Sequence, residues 1–124
     1  MSIKPNCGPA SVAKILNLPV GEVENLFRET FEMAPNWRGR STICECVCIL
    51  TSFASASEVD GRGSVAGFVR NHTTKTGTYF IRVGDHFMAI KNGLIYDNHF
   101  DGADPDTCKW KRKRVSHAFK INLH

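Results

Sequence analysis

Apolar residues in the first half of the chain recur at helical spacing. Between Ala10 and Leu16 they occupy one helical face, and Pro9 suits the first turn because its missing N–H has no helical partner there. Thr42 or Ser41, followed by an acidic residue, forms a capping-box pattern that starts another helix. The pattern as a whole predicts helices over 8–17, 22–31, 42–53 and 64–71.

The second half is rich in β-branched and aromatic residues. These residues predict strands over 77–83, 86–91, 94–97 and 114–121. Asn92 and Gly93 form a two-residue turn between two of the strands, which is the strongest short-range signal for a hairpin. Helices followed by antiparallel strands are typical of α+β proteins. We therefore expect one α+β domain over 1–124, with N-terminal helices packed on a C-terminal antiparallel sheet.

Length and charge indicate the setting in which the chain works. The 124 residues carry a net charge of +4, and a basic segment, Lys109–Arg114, holds 5 of the 16 lysines and arginines. No apolar run approaches the roughly 20 residues of a membrane span, and the residues after Met1 lack the apolar stretch of a signal peptide. We therefore expect a cytoplasmic protein without membrane association, whose 5 cysteines are reduced thiols.

Cys7 stands at the predicted start of the first helix. The free N–H groups and the dipole of a helix N-terminus stabilise a thiolate and lower the pKa of the cysteine. The same N–H groups can donate to the oxyanion that forms when sulfur attacks a carbonyl carbon. This position therefore predicts a nucleophile.

A thiol nucleophile needs a base, and His86 is the best placed of the 5 histidines because its strand leads into the hairpin. A two-residue turn at 92–93 pairs 88 with 97 and 86 with 99, which puts Asp97 diagonal to His86 on one face of the sheet. Asp97 would then orient His86, which would deprotonate Cys7. A register slip of one residue would replace Asp97 by Asn98.

Three short motifs resemble a known superfamily. The sequence NCGPAS at 6–11 begins a helix, GDHFMAI follows at 84–90 on a strand, and YD follows at 96–97. This order resembles the papain-like cysteine peptidases, in particular their compact bacteriocin-processing-peptidase-like branch of small bacterial and phage proteins. In that family a glutamine about six positions before the nucleophile completes the oxyanion hole. That position is Met1 here and the sequence contains no glutamine, so Asn6 or another donor would have to replace it.

The resemblance implies a minimal papain-like fold and a thiol protease-like hydrolase with a Cys-His-Asp triad. Its catalytic residues would be Cys7, His86 and Asp97, acting on a protein or peptide without a cofactor. Hydrolysis, deamidation and acyl transfer at an amide bond all remain open, because one fold hosts all three chemistries. A phage-encoded member would work in the cytoplasm of its host.

The basic segment supports a second function class. Clustered cations with Trp110 among them can hold a phosphate backbone and stack a base, and an acidic protein would fit the same charges. The alternative function is therefore a catalytically inactive binding module on the same fold. Such a module would be a phage-type effector of a host protein or nucleic acid.

Cys44, Cys46 and Cys48 form a pattern that resembles a metal site. On a helix, residues 44 and 48 share a face that 46 does not, so the three thiols do not converge on one ion. We interpret them as buried helical thiols and expect no metal.

Overall fold

The computed structural model describes residues 6–60 and 63–123. The helices in these residues are α1 (Cys7–Leu16), α2 (Val20–Phe31), α3 (Ile43–Thr51) and α4 (Val65–His72). The strands are β1 (Ala54–Glu58), β2 (Thr78–Val83), β3 (His86–Lys91), β4 (Leu94–Tyr96), β5 (Asp101–Ala103) and β6 (Val115–Leu123). Within the same residues, no helix has the length and apolar character needed to span a membrane.

The strands form one sheet in the order β1-β6-β2-β3-β4-β5. Every neighbouring pair is antiparallel. The predicted α+β class, with helices packed on an antiparallel sheet, is confirmed.

Local side-chain chemistry sets the ends of the helices. At α3, Thr42 Oγ1 accepts a hydrogen bond from the Glu45 N–H (3.2 Å), and Glu45 Oε1 accepts one from the Thr42 N–H (2.8 Å). Ser64 caps α4 by accepting from the Gly67 N–H. Asn17 ends α1 in the left-handed conformation, with φ of 58°. The predicted capping box is confirmed, and Thr42 is its cap.

Several boundaries differ from the prediction. Helix α2 begins at Val20 rather than after Gly21, because the Pro19 carbonyl already accepts the first helical hydrogen bonds. Helix α3 ends at Thr51 rather than near Phe53, since the chain turns there into β1. The sequence pattern missed β1 and β5. Strand β1 consists of small and polar residues of low strand propensity and pairs at the sheet edge with β6.

The hairpin joins β3 to β4 through Asn92 and Gly93. Their φ values of 54° and 78° are those of a type I′ turn. The register pairs 89 with 96, 90 with 95 and 91 with 94, as predicted next to the turn. The predicted pairs 88–97 and 86–99 do not form, because β4 ends at Tyr96. The chain turns instead at Asp97, whose N–H donates to the Phe100 carbonyl (2.9 Å).

Two hydrophobic cores lie on opposite faces of the sheet. Successive strand side chains point to opposite faces, and in β3 Phe87 joins one core while Met88 joins the other. Helices α1, α2 and α3 cover the first face, called here the helical face. Helix α4 and the irregular segment 104–114 cover the second, called here the loop face.

The five cysteines are free thiols. On α3, Cys46 is buried in the core, whereas Cys44 and Cys48 are exposed one turn apart. The prediction that residue 46 faces away from the other two is confirmed. The interpretation of all three as buried is wrong, because the side of α3 that carries 44 and 48 is turned to solvent.

Candidate active site

Cys7 is the first residue of α1 and is buried, with 9% of its surface exposed. Burial alone would raise the pKa of the thiol. Hydrogen bonds from His86 and from the N–H groups of Phe87 and Gly8 outweigh burial and lower the pKa of Cys7 below its ordinary value. The sulfur is therefore surrounded by donors that favour an anion.

His86, the first residue of β3, is hydrogen-bonded to Asp97. The distance from Nε2 to Asp97 Oδ2 is 2.6 Å. Asp97 is fixed in turn, because Oδ1 accepts from the N–H groups of His99 (2.7 Å) and Phe100 (2.6 Å). Burial opposes the charge of Asp97, but the bond to His86 and these two N–H groups lower the pKa of the carboxyl. With Nε2 on the carboxylate, Nδ1 is the ring nitrogen that faces Cys7.

The ionisation of His86 completes the arrangement. Burial alone would lower the pKa of the imidazole, but hydrogen bonds to Asp97 and Cys7, together with their negative charges, raise it to about 9. The lowered pKa of Cys7 and the raised pKa of His86 both favour a proton on the imidazole, as in a thiolate–imidazolium pair.

Cys7 and His86 come from opposite faces of the sheet. Cys7 belongs to the core of the helical face with Phe87, whereas strand alternation puts the His86 side chain on the side of Met88. The two meet at the first residue of β3, beyond the end of β4. Helix α1 is held to β3 there, because Ser11 Oγ donates to the Phe87 carbonyl (3.1 Å) one turn after Cys7.

Gly8 follows Cys7 at a point where a larger residue would have to displace its neighbours. A Cβ at Gly8 would lie 2.1 Å from Ser41 Oγ and 2.9 Å from Cys46 Sγ. Burial raises the pKa of Cys46 to about 12, so this neighbour of the site remains a neutral thiol. The pKa values of the buried thiols of Cys7 and Cys46 therefore shift in opposite directions, because of these two only Cys7 has a histidine partner.

Trp110 covers His86. The ring centroids are 5.1 Å apart, and the planes differ by 11°. A stacked indole excludes water from one side of the His86–Asp97 hydrogen bond, which strengthens it. From the sequence alone, Trp110 is a candidate for base stacking. An aromatic residue among cations does not reveal which ring it packs against in the folded protein.

Asn98, the sequence-based alternative to Asp97, takes a different place. Its Nδ2 donates to Asn6 Oδ1 (3.3 Å), while His86 Nε2 contacts Asp97. This hydrogen bond connects the residue after Asp97 with the residue before Cys7. Met1, at the position of the family's glutamine, lies outside the described residues.

The remaining histidines of the described structure lie apart from this cluster or have other contacts. His72 stacks on Phe68 at 5.8 Å, and His117 is exposed on β6. His99 contributes its backbone N–H to Asp97. In the ranges 6–60 and 63–123, no group of three histidines, cysteines or carboxylates is arranged to hold a metal ion.

No protein-family model, curated protein or solved structure matches the chain. The site is therefore defined by its own geometry: a thiol at a helix N-terminus, an imidazole in contact with it, and a buried carboxylate on the far ring nitrogen. This order of groups is the one that nucleophilic cysteine catalysis requires.

Proposed function

We propose that the protein is a cysteine hydrolase or acyl transferase that acts on an amide bond of a protein or peptide. Cys7 is the nucleophile, His86 the acid and base, and Asp97 the residue that orients His86. The observation that carries the proposal is the continuous hydrogen-bonded chain from Cys7 through His86 to Asp97. The papain-like resemblance is part of the same proposal.

In the first step Cys7 Sγ attacks the amide carbonyl carbon, and a C–S bond forms as the carbonyl π electrons move to oxygen. The Cys7 N–H, which has no helical acceptor at the first residue of α1, can donate to that oxyanion. Asn6 offers a second donor, because its Oδ1 already accepts from Asn98 and Nδ2 remains. His86 then gives its Nδ1 proton to the leaving amine as the C–N bond breaks.

In the second step neutral His86 takes a proton from water or from an amine. The activated oxygen or nitrogen attacks the thioester carbon and expels the Cys7 thiolate, which restores the ion pair. Water as acceptor gives hydrolysis of a backbone amide or deamidation of a side chain, and an amine gives acyl transfer. The balance of protons is the same in each case.

A reducing compartment suits this chemistry. All five cysteines are free thiols, and a nucleophilic thiolate is lost when it is oxidised. We therefore propose that the protein works in a cytoplasm, which is that of the host if a phage encodes it.

The test is alkylation of the native protein by iodoacetamide between about pH 5 and 9, read by peptide mass, in wild type, His86→Ala and His117→Ala. Cys44 and Cys48 are exposed and Cys7 is buried, so exposure alone would make Cys7 the slowest of the three. At about pH 6 we expect Cys7 to react faster than Cys44 and Cys48. The His86→Ala substitution should slow alkylation of Cys7 about a hundredfold, because it raises the pKa of the Cys7 thiol. His117→Ala, at an exposed position on β6, should behave like wild type.

The proposal fails if Cys44 and Cys48 react faster than Cys7 at that pH and His86→Ala changes nothing. The protein would then be the binding module considered above, and Cys7→Ala would not change the binding of its partner. If the pair is confirmed, product analysis separates the chemistries. Peptide fragments indicate hydrolysis, released ammonia indicates deamidation, and a joined amine indicates transfer.

A further inference from the structure

The basic segment, Lys109–Arg114, lies against the candidate active site. The Lys111 and Lys113 carbonyls accept from the Ala66 and Val65 N–H groups at the start of α4 (3.1 and 2.9 Å). Trp110 of the same segment stacks on His86. The segment is therefore held both to α4 and to the proposed base.

The cations of this segment have no carboxylate partner within residues 6–60 and 63–123, where the lysines and arginines in ion pairs are Lys14, Arg70 and Arg82. The Lys113 ammonium lies over the Trp110 ring, 5.5 Å from its centroid. One cation thus contacts the ring that covers His86. Unneutralised charge beside a catalytic pair creates a positive potential where substrate must approach.

Cations also lie on the Cys7 side. Gly39, with φ of 107°, approaches Asn6 so closely that a Cβ there would be 2.5 Å from the Asn6 Cβ. Its neighbours Arg38 and Arg40 are exposed and make no ion pair within the described part of the chain. Because Asn6 precedes Cys7 in the chain, the segment that carries the two arginines lies close to the proposed nucleophile.

We propose that Lys109–Arg114 is a substrate subsite of the Cys7 site, and that its ligand is a polypeptide with acidic residues near the attacked amide. Arg38 and Arg40 bind acidic residues on the other side. This inference rests on the proposed function, since the subsite serves the reaction of Cys7. Substrate carboxylates would be the partners that the cations lack.

A polypeptide fits this surface better than a nucleic acid does. Binding of single strands combines cations with aromatic rings on which bases stack. Here the Trp110 ring is already stacked on His86 and has Lys113 over it, so the one aromatic residue of the segment is occupied. The surface therefore offers positive charge beside a thiol that is proposed to attack a carbonyl carbon. This combination suits an acidic peptide.

The test compares two iodoacetylated peptides of equal length, one with glutamates and the other with glutamines at the same positions. In each, Cys7 Sγ forms a thioether bond as the C–I bond breaks and iodide leaves. The readout is the ratio of the two rates at Cys7, which cancels any change in the ionisation of the thiol. Iodoacetamide on the same samples reports the nucleophile itself.

We expect the acidic peptide to react about tenfold faster in wild type, the gain that a few exposed ion pairs provide. Lys111→Gln/Lys113→Gln should lower the ratio to about threefold or less, and about 0.5 M salt should do the same by screening. The matched control is Lys75→Gln/Lys120→Gln. It removes two cations at the opposite end of β2 from His86 and should keep the wild-type ratio.

Equal rates for the two peptides overturn the subsite, and the proposed function stands if iodoacetamide still selects Cys7 in a His86-dependent way. Loss of that selectivity with iodoacetamide overturns the proposed function and the subsite with it. Protection of Cys7 by a short oligothymidylate, without protection by a matched polyglutamate, also overturns the proposal. That result would assign the basic segment to nucleic acid.

Discussion

The helical face and the loop face of the sheet hold their parts of the site in different ways. On the helical face three helices pack over one core, and Cys7 is positioned by α1, which the Ser11 hydroxyl holds to the Phe87 carbonyl of β3. On the loop face one short helix and an irregular segment cover the second core. There His86 is positioned by side chains, Asp97 and Trp110.

This contrast separates what packing fixes from what polar contacts fix. A helix start over a close-packed core holds Cys7 in place through many small contacts. The ionisation of His86 depends on one carboxylate and one ring, so a single substitution can change it without disturbing the core. Substitutions on the two faces should therefore have different signatures.

The largest effect is expected from the cores. Phe27 and Phe68 are fully buried on the helical and loop faces respectively, and Phe→Ala at either should lower the free energy of unfolding by about 3–5 kcal/mol. Both variants should unfold in a single transition, because β2 contributes Phe80 to one core and Ile81 to the other. Urea denaturation measures the loss.

The two tryptophans report the faces separately. Trp37 stacks on Phe27 of the helical face at 5.9 Å, and Trp110 lies on the loop face. The Trp110→Phe variant therefore keeps only the helical-face fluorophore, and Trp37→Phe keeps only the loop-face fluorophore. Coincident fluorescence transitions are expected in every background. If Phe27→Ala lowered the urea midpoint reported by Trp37 and left the midpoint reported by Trp110 unchanged, the two faces would unfold independently. That result would contradict the expected single transition.

The next effect is expected at Asp97→Asn. Loss of the carboxylate should lower the pKa of His86 from about 9 toward 6.5, raise that of Cys7, and slow alkylation at about pH 6 by 10- to 100-fold. The matched control is Asp101→Asn, an exposed carboxylate 2.8 Å from Lys14. It should leave the pH profile unchanged, and an equal shift in both variants would contradict the assigned role of Asp97.

The same variant has a signature in stability. The pKa of Asp97 lies below its ordinary 3.8, so its contribution is present above that pH and is lost in acid. The pKa of His86 lies above its ordinary 6.5, so that contribution is complete below 6.5 and is lost as the pH rises through about 9. The difference in unfolding free energy between wild type and Asp97→Asn should therefore be largest from about pH 4 to 6.5.

The smallest effect is expected at the helix caps. Thr42→Ala on the helical face and Ser64→Ala on the loop face should each cost about 1 kcal/mol, because each loses the side-chain oxygen that accepts from one N–H at its helix start. Urea midpoints measure both. Neither cap touches Cys7 or His86, so an altered pH profile of Cys7 alkylation in either variant would show that the faces transmit strain to the site.

Local physics explains what the sequence by itself determined. The Asn92-Gly93 turn sets the register beside it, Thr42 and Ser64 set two helix starts, and Pro9 with Asn17 brackets α1. Each depends on contacts between residues a few positions apart, which are readable without the fold. The position of Cys7 at a helix start followed from the same local rules. Asp97 does lie next to His86, but not through the predicted strand pairs, which do not form. The catalytic roles of these residues stay a prediction.

Only the tertiary structure decided the rest, because it depends on contacts between residues distant in the chain. Strand β1 has a weak local preference and exists because β6 pairs with it. The early end of β4 freed Asp97 to turn toward His86, and packing of a basic segment against α4 carried Trp110 onto the imidazole. The pKa values of Cys7 and Cys46 move in opposite directions for the same reason, since burial acts on both but a distant histidine reaches one.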